Sequence, residues 1–188
     1  MDSQIVAVYC LCDDLLKALY HPEDPQCRMS DAEVMATAII AALFFGGNHE
    51  KARQFLQEAG YIPHMLSKSR FNRRWHRSAD LFWSLFHLLG ETRKQLNEHS
   101  IYVVDSFPVA ACDNYRIPRC KIYREAAFRG YQSSKKRFFY GLKIHLMITE
   151  TGQPVDFFLT PGSYSDTSAL KQYHFDLPEG STITGDKA

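Results

Sequence analysis

Two aspartates, Asp105 and Asp186, each follow a short run of residues that favours a β-strand, and they are 81 residues apart. Asp105 comes after residues 101–104, and Asp186 comes after residues 181–185. Side chains at the carboxyl ends of strands leave the packed core but keep a rigid base. If the two strands are neighbours, the carboxylates converge and supply the oxygen ligands that Mg²⁺ prefers. Such a site can promote phosphoryl transfer.

An aspartate directly after a strand also has a common structural role. It can begin a turn or cap a helix, and position alone favours that role for both Asp105 and Asp186. Their spacing does not decide between a structural and a chemical role.

The lysines and arginines are concentrated in two segments, although the formal net charge of the chain is only +1. Residues 64–77 hold five of them and no acid, and residues 114–145 hold nine, with Glu125 as the sole acid. Four arginines of the first segment share one helical face by their spacing: Arg70, Arg73, Arg74 and Arg77. Both segments suit a polyanionic partner, with a solvated basic face as the alternative.

The second basic segment lies beside the predicted strands, so four of its cations are predicted to contact phosphates: Lys135, Lys136, Arg137 and Lys143. His145 could also lie near phosphates, although a single histidine on a strand is more often a hydrogen-bonded structural residue. Four aromatic residues could stack on unpaired bases, with core packing expected for at least two: Tyr131, Phe138, Phe139 and Tyr140. Asp166 is expected to cap the helix that follows it.

The elements that position these residues change in character near residue 101. Before it, residues 1–100 predict a helical module, in which Ser30 and Glu33 form a capping box before the apolar run to Phe45. After it, a helix is predicted at residues 166–173, and strands are predicted at residues 101–104, 138–149, 154–160 and 182–184. The fold class is therefore α/β, with a helical N-terminal module followed by a mixed sheet.

Composition excludes several classes of protein. The 188 residues are 45% hydrophobic and 23% charged, which is typical of a globular protein and not of a disordered tail. No apolar run is long enough for a membrane span and no signal peptide is visible, so we expect a cytoplasmic protein without a membrane partner. The five cysteines form no C-x-x-C pair, which argues against a disulfide framework or a zinc ribbon.

Four stretches resemble the consecutive core motifs of bacterial insertion-sequence DDE transposases. They are VVDSFPV at 103–109, KKRFFYGLKIHLMIT at 135–149, GQPVDFFLTPGSYSDT at 152–167 and ITGDKA at 183–188. The resemblance covers residues 101–188 closely and the helical half more loosely. It implies that Asp105 and Asp186 are the first two acids of the catalytic triad, in a domain folded like ribonuclease H.

The resemblance also implies a function. It predicts metal-dependent cleavage and strand transfer of double-stranded DNA, at transposon ends and target, with two Mg²⁺ or Mn²⁺ ions and an active homodimer. The sequence stops two residues after Asp186, before the family's glutamate, so residues 101–188 are expected to be the N-terminal part of an incomplete RNase H-like sheet. We therefore expect this truncated chain to be inactive alone. Two alternatives remain: a DNA-binding fragment that occupies transposon ends and represses transposition, and a poorly folded remnant.

Overall fold

A computed structural model of the chain describes residues 1–113, 116, 119–132 and 135–185, and within these residues it contains six α-helices and a mixed sheet of five strands. This confirms the predicted α/β class. The helices are α1 (Asp2–Ala18), α2 (Asp31–Phe45), α3 (His49–Glu58), α4 (Lys68–Arg77), α5 (Ala79–Gln95) and α6 (Asp166–Gln172). The strands are β1 (Ile101–Asp113), β2 (Arg129–Gln132), β3 (Arg137–Thr149), β4 (Pro154–Pro161) and β5 (Thr182–Gly185). The chain divides into two compact units, Met1–Leu85 and Phe86–Ala188.

The first unit is built around α2, whose start follows directly from the sequence. The Ser30 hydroxyl accepts a hydrogen bond from the Glu33 amide at 3.0 Å, and the Glu33 carboxylate accepts one from the Ser30 amide at 2.6 Å. The predicted capping box is thus confirmed. The helix ends at Gly46, whose φ of 57° lies in the left-handed region that glycine adopts without strain.

Helix α4 carries the basic segment of the first unit. Its apolar side is anchored by Phe71, which is fully buried in the helical core with Val34, Ile40 and Leu56. Trp75 packs edge-on against His49, with ring centroids 4.2 Å apart. Burial of this side leaves the arginine-bearing side of α4 to form part of the surface, as the helical spacing predicts.

The second unit is a sheet with strand order β2-β3-β1-β5, in which β4 also pairs with β3. Strand β1 is antiparallel to β3 and parallel to β5. Strands β2 and β4 pair with consecutive parts of β3, at residues 137–140 and 142–148 respectively.

The sheet differs from the sequence prediction in two places. Strand β1 continues through Pro108 to Asp113 instead of ending at residue 104, and β2 was not predicted. In the described part of the chain β5 pairs with β1 as far as Val104, so one edge of β1 lies open beyond it. A proline, which lacks an N–H, is tolerated at such an edge.

The two faces of the sheet have different surroundings. On one face Tyr102, Val104 and Met147 are buried, and Leu170 of α6 packs against them. Successive residues of a strand point to opposite faces, so Asp105 belongs to the other face. On that face Phe107, Val109 and Leu159 are exposed.

Among the described residues, no single helix is both long and apolar enough to cross a membrane. Helices α2 and α3 satisfy that test of length and composition only when taken together, across a bend of 107°.

Candidate functional site

Asp105 lies on β1, one residue beyond the four-residue ladder that joins this strand to β5. The last pair of that ladder is Val104 with Gly185. The Asp105 side chain is exposed, and its Oδ1 accepts a hydrogen bond from the Ser106 amide at 2.7 Å. Asp186 follows Gly185 in the sequence and lies outside the described residues. Within the described residues, the ladder therefore extends on both strands to the residue directly before a predicted catalytic aspartate.

Ser106, Asp166 and Lys143 form a polar cluster on the face opposite to Asp105. Asp166 Oδ1 accepts hydrogen bonds from the Ser106 hydroxyl at 2.8 Å and from Lys143 Nζ at 3.1 Å. Lys143 also donates to the Tyr164 carbonyl at 2.9 Å. Burial by itself would raise the pKa of Asp166, but these hydrogen bonds and the charge of Lys143 outweigh it and lower the pKa. The cluster fastens the start of α6 to the sheet.

The prediction that Asp166 caps α6 is wrong. The residue that caps the helix is Ser165, whose hydroxyl accepts a hydrogen bond from the Ser168 amide at 3.2 Å. Asp166 is the first helical residue, and its carboxylate is engaged by Ser106 and Lys143 instead. Ser165 and Asp166 are both suitable capping residues, and the local sequence cannot show that a tertiary contact engages one of them.

His145 is 1% exposed and stands opposite Ser106 in the ladder between β1 and β3. Its Nε2 is hydrogen bonded to the Thr160 hydroxyl at 2.9 Å, and its ring stacks on Phe158 with centroids 4.4 Å apart. Burial lowers the pKa of His145. The structure thus places both Lys143 and His145 in fixed contacts on the face of the sheet away from Asp105.

The stack continues from Phe158 to Tyr173, with centroids 4.1 Å apart. The Tyr173 hydroxyl donates to the Asp156 carboxylate at 3.2 Å, and burial together with that carboxylate raises the pKa of Tyr173 to about 12. The three stacked rings hold Tyr173, the residue directly after α6, against the sheet, so their role is structural.

The four arginines of α4 line an open cleft of about 470 Å³ in the first unit. We call it the arginine cleft, and its walls are Gln26, Cys27, Arg28, Leu66, Arg70, Arg73, Arg74 and Arg77. Arg70, Arg73 and Arg77 are exposed. The helical spacing therefore collects the predicted DNA-binding arginines on one concave surface.

Arg74 differs from the other arginines of the cleft because its guanidinium is bound by residues at the start of α2. It donates to the Met29 carbonyl and forms an ion pair with Asp31, the first residue of α2. The other oxygen of Asp31 accepts a hydrogen bond from His21 Nε2 at 2.9 Å. Burial would raise the pKa of Asp31, but the bonds from His21 and Arg74 outweigh it and lower the pKa. Arg74 therefore ties α4 to the loop before α2.

Arg28 is a fifth arginine of the cleft that the sequence did not single out. It lies in the loop between α1 and α2, outside any helical repeat of basic residues, so no periodic signal marks it. The loop reaches the cleft because Met29 and Asp31 bind Arg74, more than forty positions further along the chain.

Lys135, Lys136 and Arg137 lie at the end of the β2–β3 hairpin, and all three side chains are exposed. Arg137 begins β3, nine residues before Leu146, which pairs with Asp105, and Lys135 and Lys136 precede that strand. The structure does not group them with Asp105.

The described residues contain no cluster of three or more His, Cys, Asp or Glu side chains that could hold a metal ion. Asp105 contributes one exposed carboxylate, a hard oxygen donor of the kind that Mg²⁺ and Mn²⁺ accept. One of its oxygens is oriented by the Ser106 amide. The donor chemistry fits a divalent ion, and further ligands are needed to complete a site.

Comparison with known families identifies the class of protein. The family of transposase DDE domains matches residues 95–188, and the chain belongs to this family. No curated protein and no solved structure gave a match. The chain is thus a DDE transposase by family, as the four motifs predicted. Transposases of this family act on DNA, and DDE domains generally use divalent metal ions.

Proposed function

We propose that this chain belongs to a transposase that cleaves DNA and transfers the strand with the help of divalent metal, and that Asp105 and Asp186 are two of its metal ligands. The supporting observation is the parallel ladder between β1 and β5, whose last described pair, Val104 with Gly185, directly precedes the two aspartates in sequence. A ladder that reaches the residue before each aspartate favours a site that both share.

Mg²⁺ or Mn²⁺ held there as a pair would activate the attacking oxygen and stabilise the leaving oxygen of a phosphodiester. The contribution of the chain is to bind and orient. The Ser106 amide fixes one oxygen of Asp105, which leaves the second oxygen available to a ligand on the exposed face. The fixed contacts of Lys143 with Asp166 and Tyr164 support the backbone on the opposite face.

Metal-directed cleavage of the protein backbone tests this assignment. Fe²⁺ replaces Mg²⁺ in oxygen sites, and with ascorbate and peroxide it cuts the chain near its ligands. We expect cuts close to residues 105 and 186, suppressed by excess Mg²⁺ and lost in Asp105→Asn. Glu179→Gln is the matched control, because Glu179 is exposed and lies in the loop before β5. Cuts that persist unchanged in Asp105→Asn would refute the role of Asp105.

A second candidate function is binding to transposon ends without cleavage, which would repress transposition. The arginine cleft favours it, because five guanidinium groups on one concave surface match the phosphates of a DNA backbone. In this proposal residues 1–100 form the DNA-binding module, and residues 101–188 form the N-terminal part of the catalytic domain. The active assembly is a homodimer, which light scattering of the protein with a transposon-end duplex tests.

Binding to that duplex tests the cleft. The double variant Arg70→Gln with Arg73→Gln removes two exposed charges from it. Its matched control is Lys17→Gln with Lys51→Gln, which removes the same charge from α1 and α3, outside the cleft. We expect about tenfold or greater loss of duplex affinity in the arginine variant, measured by fluorescence anisotropy, and a small loss in the control. Equal losses would show that only net charge matters.

A further inference from the structure

The hairpin formed by β2 and the beginning of β3 exposes two aromatic rings side by side. Tyr131 and Phe138 are partners across the two strands, with ring centroids 5.0 Å apart. Tyr131 is 50% exposed and Phe138 is 43% exposed. Each ring presents about half of its surface to solvent, so the pair forms an apolar surface that a flat aromatic ligand can contact.

The other face of the same hairpin does the packing. Phe139 is 1% exposed and stands opposite Gly130 in the ladder. A Cβ atom on Gly130 would meet the Phe139 ring at 2.5 Å, so the glycine leaves the space that the ring fills. Because Phe139 already anchors the hairpin, Tyr131 and Phe138 are not needed to hold it in place.

One cation contacts the exposed rings, and three more stand near them along the chain. The Arg129 guanidinium lies over the Phe138 ring, 4.2 Å from its centroid. Lys135, Lys136 and Arg137 are exposed where β3 begins. The surroundings are strongly positive, since residues 114–145 contain nine lysines and arginines and one acid in sequence. We call the surface formed by the following six residues the aromatic hairpin: Arg129, Tyr131, Lys135, Lys136, Arg137 and Phe138.

We propose that the aromatic hairpin binds unpaired DNA bases, by stacking them on Tyr131 and Phe138 while the surrounding cations neutralise the phosphates of the same strand. Rings beside cations are the arrangement that holds single strands, because every base presents a π-face. In an intact duplex those faces are covered by neighbouring base pairs, so the rings have nothing to stack on. The ligand is therefore single-stranded or locally melted DNA.

This inference rests on the proposal that the chain acts on DNA, but it uses a different surface from the arginine cleft. It is also more specific than charge alone. A basic surface without rings would bind duplex and single strand through phosphates, whereas the rings add a contact that only unpaired bases can make.

The test compares two DNA probes of equal length, a fluorescein-labelled oligothymidine and a labelled duplex of mixed sequence. The test variant is Tyr131→Leu with Phe138→Leu, which keeps apolar side chains on the hairpin and removes both rings. We expect affinity for oligothymidine to fall by about tenfold or more and duplex affinity to stay within about twofold. Tyr131→Phe with Phe138→Tyr keeps two rings and should restore single-strand binding.

Tyr20→Leu is the matched control, because Tyr20 is 92% exposed in the first unit and is not among the residues that line the arginine cleft. It should leave both affinities unchanged. Ultraviolet crosslinking with 5-bromouracil in the oligonucleotide gives a direct readout, with adducts expected at Tyr131 or Phe138. Circular dichroism of the leucine variant checks that it keeps its fold, and the variant with exchanged rings provides the comparison if it does not.

The outcomes separate this inference from the proposed function. Single-strand affinity that is unchanged without the rings, with duplex binding intact, overturns the inference and leaves DNA binding by the cleft standing. Equal losses for both probes also overturn it, because they show a contact to phosphates alone. Dimerisation of the chain that the leucine variant abolishes would assign the rings to a protein contact and overturn it as well. If the protein binds neither probe, both proposals fail.

Discussion

The arginine cleft and the aromatic hairpin carry charge of the same sign beside different neighbours. In the cleft, guanidinium groups from one helix face and one loop stand around an open concavity, and Arg74 is braced by Asp31. In the hairpin, the Arg129 guanidinium lies over one of two exposed rings, and three further exposed cations lie where β3 begins. Positive charge alone therefore does not define which nucleic acid a surface binds. The groups beside the charge decide whether the surface binds a phosphate backbone or an unstacked base.

Local geometry explains how each surface arises. On α4 the spacing of three and four residues brings arginines onto one side, whatever the rest of the chain does. On the hairpin the alternation of a strand sends Phe139 inward and Phe138 outward, so the exposed ring depends on the register between β2 and β3. The shared arginine face of α4 is therefore robust to small shifts of the fold, and the exposed rings of the hairpin are not.

The largest expected effect comes from Gly130→Ala, which should disrupt the hairpin and spare the cleft. The new Cβ would collide with the Phe139 ring and the Gly162 carbonyl oxygen. We expect the free energy of unfolding of the second unit to fall by about 3 kcal/mol, and single-strand binding to fall with it. Urea unfolding and binding of oligothymidine measure the two effects, and duplex binding should stay unchanged. Gly185→Ala is the matched control, because Gly185 also lies in a strand and its added Cβ would make only an ordinary contact, 3.5 Å from the Val104 carbonyl oxygen. Loss of duplex binding in Gly130→Ala would contradict the separation of the two surfaces.

A smaller effect is expected from Asp31→Asn, which acts on the cleft alone. The variant keeps the shape of the side chain but removes the charge that pairs with Arg74, a guanidinium that is mostly buried. We expect the free energy of unfolding of the first unit to fall by about 2 kcal/mol. Duplex affinity should also fall, because Arg74 is no longer held at the wall. Single-strand affinity should not change, and Glu58→Gln at an exposed position of α3 serves as the control.

The salt dependence of DNA affinity should differ between variants of the two surfaces, with effects of a few-fold in affinity. A phosphate contact to duplex DNA contributes about 0.9 to the slope of log affinity against log salt, and one to a single strand contributes about 0.7. Arg70→Gln should therefore flatten the duplex slope, and Lys136→Gln should flatten the slope for oligothymidine. Binding titrations between low and physiological salt measure both. If each variant flattened both slopes equally, the surfaces would form one continuous site.

A smaller change in stability is expected at His145, which lies in the sheet and belongs to neither surface. Burial lowers its pKa in the folded protein, with the nearby charges of Asp166 and Lys143 acting in opposite directions. The unfolded chain therefore takes up the proton first as pH falls below about 6.5, so unfolding becomes easier by at most about 1.4 kcal/mol per pH unit. Above that pH this contribution is constant.

Comparison of His145→Asn with the unmodified protein isolates this contribution. His49 in the first unit also has a pKa lowered by burial, but it is present in both proteins. Thermal unfolding at pH 7.5 and pH 5 should show a smaller pH dependence in the variant. Parallel profiles would mean that His145 does not titrate differently in the two states.

Sequence predicted best what depends on neighbours in the chain. The capping box of Ser30 and Glu33 and the shared face of the α4 arginines follow from helical spacing alone. The four motifs gave the family, and the family match covers the same part of the chain. These features require no knowledge of how distant segments meet.

The missed features all depend on distant contacts. Strand β2 contains Arg129, Gly130 and Gln132, a poor strand pattern that becomes a strand because β3 offers a partner and Phe139 needs space. Arg28 joins the cleft through Met29 and Asp31. The bond between Lys143 and Asp166, which the sequence did not predict, spans 23 residues. None of these contacts leaves a periodic signal.

The pairing of β3 has a consequence for motion. Residues 142–148 of this strand are hydrogen bonded along both edges, to β1 and to β4, whereas its first four residues have the short β2 on one side. Amide hydrogens in the doubly paired part should exchange with solvent only when the whole sheet opens, and those of the hairpin should exchange through local fraying. In a hydrogen-exchange experiment the exchange rate at the centre of β3 would report global opening of the sheet. The change in exchange rate at the hairpin on adding DNA could then be compared with that rate within the same molecule.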